Sequence, residues 1–477
     1  MTIVITILAY FAILITFGRV TAGRAQGNEA FFRGDRRSPW YMVAFGMVGA
    51  SISGVTFVSV PGMVLVSDMA YLQTCIGFIF GYFVVALLLL PVYYRLNLTS
   101  IYTYLGDRLG KRSYKTGAAF FIISKLTGSA VKFYIVCMIL QRFVLDAVGI
   151  PFPVTVVSLV ALIWLYTRHG GIKTLVWTDV FQTTCLFLAL LLIVVQVSQR
   201  LGMSAGEAAA AVAHSDMSRV FVFDDWRSRQ YFWKQFFSGI FIVIVMTGLD
   251  QGMMQKHLTC KSLREAQKDV CTYGFAFVPA NLLFLSLGVL LVMLVQKEGG
   301  ALPVGDELLP MYAATGRLGK AVVVFFTIGI VAASFCNADS SLTALTTSCC
   351  VDMFSNEHDE GLRRRVHLAL CAMFVVIILL FKAVNSTSVI DAIYILCSYT
   401  YGPLLGLFAF GLFTKRQPND KYVPYIAVLS PIICFVIDSL AQHAYGYKFG
   451  YELLMLNGII TLLGLYAFSK TSQAKSS

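Results

Sequence analysis

Residues 46–57 read GMVGASISGVTF and residues 246–255 read MTGLDQGMMQ. In each, a glycine pair, Gly49 with Gly54 and Gly248 with Gly252, interrupts apolar sequence and brackets polar side chains. Glycine costs a helix interior roughly 1 kcal/mol against alanine, so each run reads as a helix that stops and restarts. The surroundings decide what such a break means. The chain has 477 residues, is 58% hydrophobic and only 13% charged, and its mean hydropathy is +0.75, the balance of a membrane protein. In hydrocarbon every freed backbone group needs a partner, and carbonyls that hold an ion or a solute meet that need. Close helix packing by small residues is the competing explanation for either pair alone. Two pairs at matching places favour a site.

A hydrocarbon core about 30 Å thick takes roughly 20 apolar residues per helix. Thirteen stretches of that kind occur, at 2–18, 40–66, 70–94, 116–146, 152–167, 176–198, 231–255, 272–296, 319–352, 366–384, 388–413, 422–444 and 450–469. The chain is therefore expected to be an all-α polytopic membrane protein. The first stretch has neither a basic leader nor a small-residue cleavage site and is expected to remain as a helix. Basic residues collect in alternate loops, which marks the cytoplasmic side. They include Arg33, Arg36 and Arg37, then Arg95, Arg108 and Lys111, then Lys256, Lys261, Arg264 and Lys268, then Arg363, Arg364 and Arg365. This places the chain in the plasma (inner) membrane, N-terminus outside and C-terminus cytoplasmic. The net charge of +12 follows from these loops, which face the anionic lipid bilayer, and gives no support to a nucleic-acid partner.

Each break opens a block of five helices. The expected organisation is an extra helix and basic loop (1–39), a first repeat (40–198), an external loop (199–230), a second repeat (231–413) and C-terminal extra helices (414–477). One large class of transporters binds its cargo at broken helices in matching positions of two inverted halves. A channel would need a polar stripe through several helices, whereas polarity here is concentrated at two breaks and at 332–348. An enzyme would need a nucleophile with a base, or a metal cluster. The six histidines lie near helix ends or in loops, and no Cys/His pair has ligand spacing, so catalytic residues are not expected.

Four motifs carry a resemblance to a known family, the sodium/solute symporters. HGGIKTLVWTDVFQ at 169–182 resembles its Gly-Gly followed by Trp-Thr-Asp and Gln, and SIYTYLGDRLG at 100–110 its Tyr-Leu-x-x-Arg-Phe-Gly loop. DQGMMQKHLTCKSLREAQK at 250–268 is similar to its Asn-Gln, Gln-Arg and Lys-x-x-x-Ala series, with Asp250 where asparagine is usual, and NADSSLTALTTS at 337–348 to its ion-binding helix. The resemblance implies a LeuT-like core of two inverted five-helix repeats and sodium-coupled import of a small polar solute by alternating access. Proton-coupled or uncoupled transport by the same fold is the alternative; an ion channel is the alternative outside transport.

The resemblance also implies ion sites. One sodium would lie between backbone carbonyls of the first break, carried over onto Gly49 and Ile52, the carbonyl of Ala333, and the side chains of Cys336 and Asn337, where the family has two hydroxyls. A thiol is a poor sodium ligand, so this site is expected to be weakened or rebuilt. A second sodium site, used by some members, falls on Asp179, Asp339 and Ser340. Asp179 could instead cap its helix at the cytoplasmic interface. Carboxylates in a membrane interior are paired or functional. Lys125 and Lys132 share a face of the fourth span, and at least one of them is expected to pair with Asp179, Asp250 or Asp339, or with an acidic group on the solute. The solute pocket is expected around Ser51, Ser53, Thr56, Gln73, Lys125, Asp250 and Gln251. These suit a sugar, a sugar acid or a similar small molecule. Na⁺ is the one cofactor expected, and the sequence is silent on oligomeric state.

Overall fold

The computed structural model describes residues 2–22, 27–146, 149–303, 305–384, 387–447 and 449–470. Within these, helices dominate, and the strands are one two-residue antiparallel pair, Gln417–Pro418 with Ser469–Lys470. The main helices are α1 (Thr2–Ala22), α2 (Trp40–Ser51), α3 (Gly54–Gly62), α4 (Tyr71–Val84), α5 (Lys111–Leu140), α6 (Phe152–Leu201), α7 (Phe232–Val243), α8 (Gln251–His257), α9 (Leu263–Lys297), α10 (Lys320–Ser348), α11 (Glu360–Val384), α12 (Thr387–Phe413), α13 (Val423–Tyr445) and α14 (Leu453–Ala467). By length and composition, seven spans among the described residues can cross a membrane, and two more can where bent pairs count as one span. Shorter apolar helices occupy Ile5–Val20, Phe152–Arg168, Tyr399–Phe413 and Leu453–Ala467. Each apolar stretch marked in the sequence thus holds a helix.

The bent pairs are the two glycine-bracketed segments. Trp40–Ser51 meets Gly54–Gly62 at 64°, and Phe232–Gly248 meets Gln251–His257 at 75°. The breaks are made by Ile52 (φ −83°, ψ 91°), Ser53, Leu249 and Asp250, all in ordinary left-half backbone conformations. None of the four bracketing glycines has a positive φ. Their contribution is close approach: a Cβ on Gly49 would stand 2.0 Å from the hydroxyl of Thr183, and one on Gly54 would stand 2.2 Å from that of Ser334. The expectation that glycine supplies the unwinding is therefore corrected. Glycine brings the broken helix against α6 and α10, and the residues between the glycines do the unwinding.

Overpacking a filled interior costs about 1–3 kcal/mol. Gly49→Ala is expected to lower the melting temperature of the purified protein, and Thr183→Ala, which removes the nearest atom, to restore part of the loss. Equal melting temperatures for Gly49→Ala and the parent would show that the contact yields freely.

The 50-residue α6 contains a second use of glycine. Gly171 takes φ 47° and ψ −130°, bending the helix between two apolar spans. A Cβ there would stand 2.5 Å from the Phe31 ring. Because helix resumes directly after this bend, Asp179 lies well inside the second half of α6. The capping role foreseen for it is not what the chain adopts. Among the described elements, α6 packs most extensively with α10, and α2 packs on α6 as well.

Candidate functional site

The polar run of α10 stands against the first break. Asn337 Nδ2 donates to the Ala50 carbonyl at 3.3 Å, tying α10 to the last turn of α2. Gly49, Ile52 and Ala333 are buried beside it, Ile52 as the residue at which α2 ends. Ser53 starts α3 by accepting from the Thr56 amide at 3.2 Å, and its hydroxyl meets that of Thr56 at 2.9 Å. Ser51 is hydrogen-bonded to the Tyr273 hydroxyl. Ser51, Ser53 and Thr56 therefore gather at one break.

Cys336 points the other way. Its thiol donates to Asp179 Oδ1 at 2.9 Å, and Asp179 Oδ2 lies 2.5 Å from Lys256 Nζ, both side chains being 1% exposed. Asp339 is one turn along: Oδ2 accepts from Tyr166 at 2.7 Å, and Oδ1 from Ser340 at 3.1 Å. The Ser340 hydroxyl also reaches the Cys336 carbonyl at 2.7 Å. The Lys256 ammonium interacts electrostatically with Asp339 as well as Asp179. Two carboxylates, one ammonium, a thiol and two hydroxyls thus form one buried cluster between α6, α8 and α10. Lys256 was assigned to a cytoplasmic loop from sequence; it is instead in the last turn of α8, sealed from solvent.

At the second break, Lys125 of α5 pairs with Asp250, 3.1 Å to Oδ1 and 2.9 Å to Oδ2. Tyr401 donates to the same carboxylate at 3.1 Å, and the Met253 amide bonds to its Oδ1 at 3.1 Å, so Asp250 also caps α8. The freed carbonyls of Gly248 and Leu249 accept from Tyr93 at 2.9 Å and Tyr102 at 2.8 Å. Tyrosine hydroxyls thus satisfy the backbone that this break exposes, as a low-dielectric interior requires.

Two proposed pocket residues are engaged elsewhere. Gln251 Nε2 donates to the Thr99 carbonyl at 2.9 Å, and its Oε1 accepts from the Ile101 amide at 2.9 Å. Gln73 donates to the Gln230 carbonyl at 2.9 Å and accepts from the Val222 amide at 3.0 Å, so it fastens the 222–230 loop to α4. Both brace backbone in this structure. Lys256, Tyr166, Tyr273 and Tyr401 were missed. For Lys256 the sequence shows only that it follows the break by a few residues; that its short helix buries every residue but Met253 emerges from the fold. An aromatic residue inside an apolar span carries no comparable signal.

The sequence profile described as "Sodium:solute symporter family" matches residues 31–421. The sodium/sialic acid symporter SiaT of Proteus mirabilis (strain HI4320) is 23% identical over 443 residues, covering 88% of this chain and 86% of that protein. The sodium/sialic acid symporter NanT of Aliivibrio fischeri (strain ATCC 700601 / ES114) is likewise 23% identical, covering 90% of this chain and 86% of its own length. In structure the chain is similar to a Na⁺-coupled sialic acid symporter in a substrate-bound outward-open state, with a TM-score of 0.82, 20% identity and 98% of each chain covered. It also resembles Mhp1, a nucleobase-cation-symport-1 family transporter, at TM-score 0.58 and 14% identity, with 92% of this chain and 94% of that one covered. The architecture is the LeuT-like one.

Proposed function

This chain belongs to the sodium:solute symporter family and is a sodium-coupled secondary transporter, and we propose that its cargo is a small polar organic solute, a sugar acid or a similar molecule, imported by alternating access between the two breaks. What carries this reading is the 3.3 Å bond from Asn337 to the Ala50 carbonyl, because it ties the polar face of α10 to the unwound end of α2. Na⁺ is a hard cation that prefers oxygen donors. The carbonyls of Gly49, Ile52 and Ala333 and the amide oxygen of Asn337 are the donors assigned to it. The Cys336 thiol donates its hydrogen bond to Asp179, which supports leaving sulfur out of this set. We assign solute contacts to Ser51, Ser53, Thr56, Lys125 and Asp250. The sialic acid symporters named above make a carboxylated sugar the first solute to try. The blocks 40–198 and 231–413 are read as the two inverted repeats, with the basic loops cytoplasmic and the N-terminus outside.

The second cation site needs a different account. Asp179 already has a counter-ion in Lys256, and a buried carboxylate so neutralised has little left to offer a free cation. The cluster of Asp179, Asp339 and Ser340 then works through its fixed ammonium, and coupling runs through the break site alone.

The test is uptake into proteoliposomes at varied sodium and fixed pH, repeated with a proton gradient alone. Uptake is expected to follow sodium. Uptake that ignores sodium and follows protons would overturn the coupling. In the same assay Cys336→Ser is expected to raise apparent sodium affinity roughly fivefold, the low end of usual coupling energies. The serine hydroxyl would supply the oxygen that sulfur withholds; an unchanged sodium dependence would show that a hydroxyl at 336 stays with Asp179 and does not turn to the break.

A further inference from the structure

Away from the breaks, a cavity of about 140 Å³ lies where the first half of α6, the start of α11 and the short helix Asn28–Arg33 meet. Its lining is Phe31, Trp164, Arg168, Arg363, Arg364 and His367. Of the three guanidinium groups in this lining, two stand near one carboxylate, Glu360, which lies 3.9 Å from Arg363 and 3.2 Å from Arg364. Arg363 is 2% exposed, yet its Nε and Nη1 have no hydrogen-bond partner among the described residues, and Arg168 Nε is buried and equally unmatched there. A buried guanidinium left unsatisfied is costly, so such groups are ordinarily matched to an acceptor.

The walls hold these arginines in place rather than neutralise them. Arg363 lies 4.5 Å over the Phe31 ring and Arg168 lies 4.8 Å over Trp164. His367 is fixed by Thr167 at 2.9 Å and Thr346 at 2.8 Å, its ring edge-on to Phe31. Planar guanidinium groups stacked on aromatic faces keep their N–H edges for a planar or tetrahedral oxyanion, which they bind in forked pairs.

We propose that this cavity is an anion site that takes a phosphate group. At about 140 Å³ it falls well short of the roughly 300–1,000 Å³ that encloses drug-sized ligands, and suits one phosphate with its first ester carbons. Its place at the basic ends of the spans matches the depth of phospholipid headgroups, and basic pockets between helices on that side bind such groups. The proposal does not depend on which solute or ion is transported.

The full-length protein in neutral detergent is melted with increasing phosphatidylglycerol, with phosphatidylcholine, and with inorganic phosphate. Phosphatidylglycerol is expected to raise the melting temperature to saturation and phosphatidylcholine to leave it unchanged. Arg363→Gln is expected to need about tenfold more phosphatidylglycerol or beyond, the scale of one charged hydrogen bond pair. Native mass spectrometry should show one retained phosphatidylglycerol in the parent and loss of it in the variant. A shift produced by phosphatidylglycerol and not by inorganic phosphate identifies a lipid headgroup as occupant; a shift from inorganic phosphate at comparable concentration identifies a soluble phosphate. Should Arg363→Gln fail to fold, Arg168→Gln carries the same expectation from a half-exposed position. No saturable response to either anion in the parent, or an equal response in parent and variants, overturns the site.

Discussion

Lys256→Met is expected to abolish solute uptake and to make folding depend on sodium. Methionine keeps most of the side-chain volume and removes the ammonium, leaving Asp179 sealed with only the Cys336 thiol beside it. Removing one partner of a buried ion pair costs about 3–5 kcal/mol, a large part of what holds a protein folded. Free sodium is then expected to enter the vacated position. At a hundred times its dissociation constant it would return about 2.7 kcal/mol. Melting curves in sodium and in choline read this directly: the sodium-dependent shift should be larger in Lys256→Met than in the parent. Adding Asp179→Asn should recover stability without sodium, since replacing both members of a buried pair is often close to neutral. A Lys256→Met protein with parental stability and uptake would show that the pair has no part in the cycle.

The second large effect is expected at the other buried pair. Lys125→Met should reduce uptake by more than tenfold, because Asp250 is 1% exposed and would be left with only Tyr401 and the Met253 amide as partners. The double variant Lys125→Met with Asp250→Asn separates two roles. If the pair only holds α5 to the second break, the double variant should regain both folding and transport. If Lys125 leaves Asp250 to meet an acidic solute, the double variant should fold and bind neutral analogues while failing on carboxylated ones. The solute reading expects the second result, measured as uptake competition between a sugar acid and its amide.

The apolar stretches were legible because hydrocarbon thickness imposes a length that composition alone reveals. The breaks were legible too, though for a partly mistaken reason: glycine marked them, while Ile52, Ser53, Leu249 and Asp250 make the turns. The partner of Lys125 was one of three carboxylates named from sequence. The site of Lys256 was not legible, because a lysine near the end of an apolar run is assigned to the interface by the same rule that orients the spans. Only the 75° bend turns α8 inward and takes Lys256 with it. Gln73 and Gln251 show a related limit. A buried amide must be satisfied, but sequence does not say whether by cargo or by neighbouring backbone.

Asp250 begins α8 by capping its first turn and holds Lys125 with the same carboxylate. A motion that draws Lys125 away leaves the cap intact, whereas one that withdraws Asp250 uncaps the half-helix as well. An N-cap bond is worth about 1 kcal/mol, or roughly fivefold in the ratio of two conformers. The two directions of parting are therefore unequal in population. A cycle that parts the pair is therefore expected to swing the lysine on α5 and to keep α8 capped.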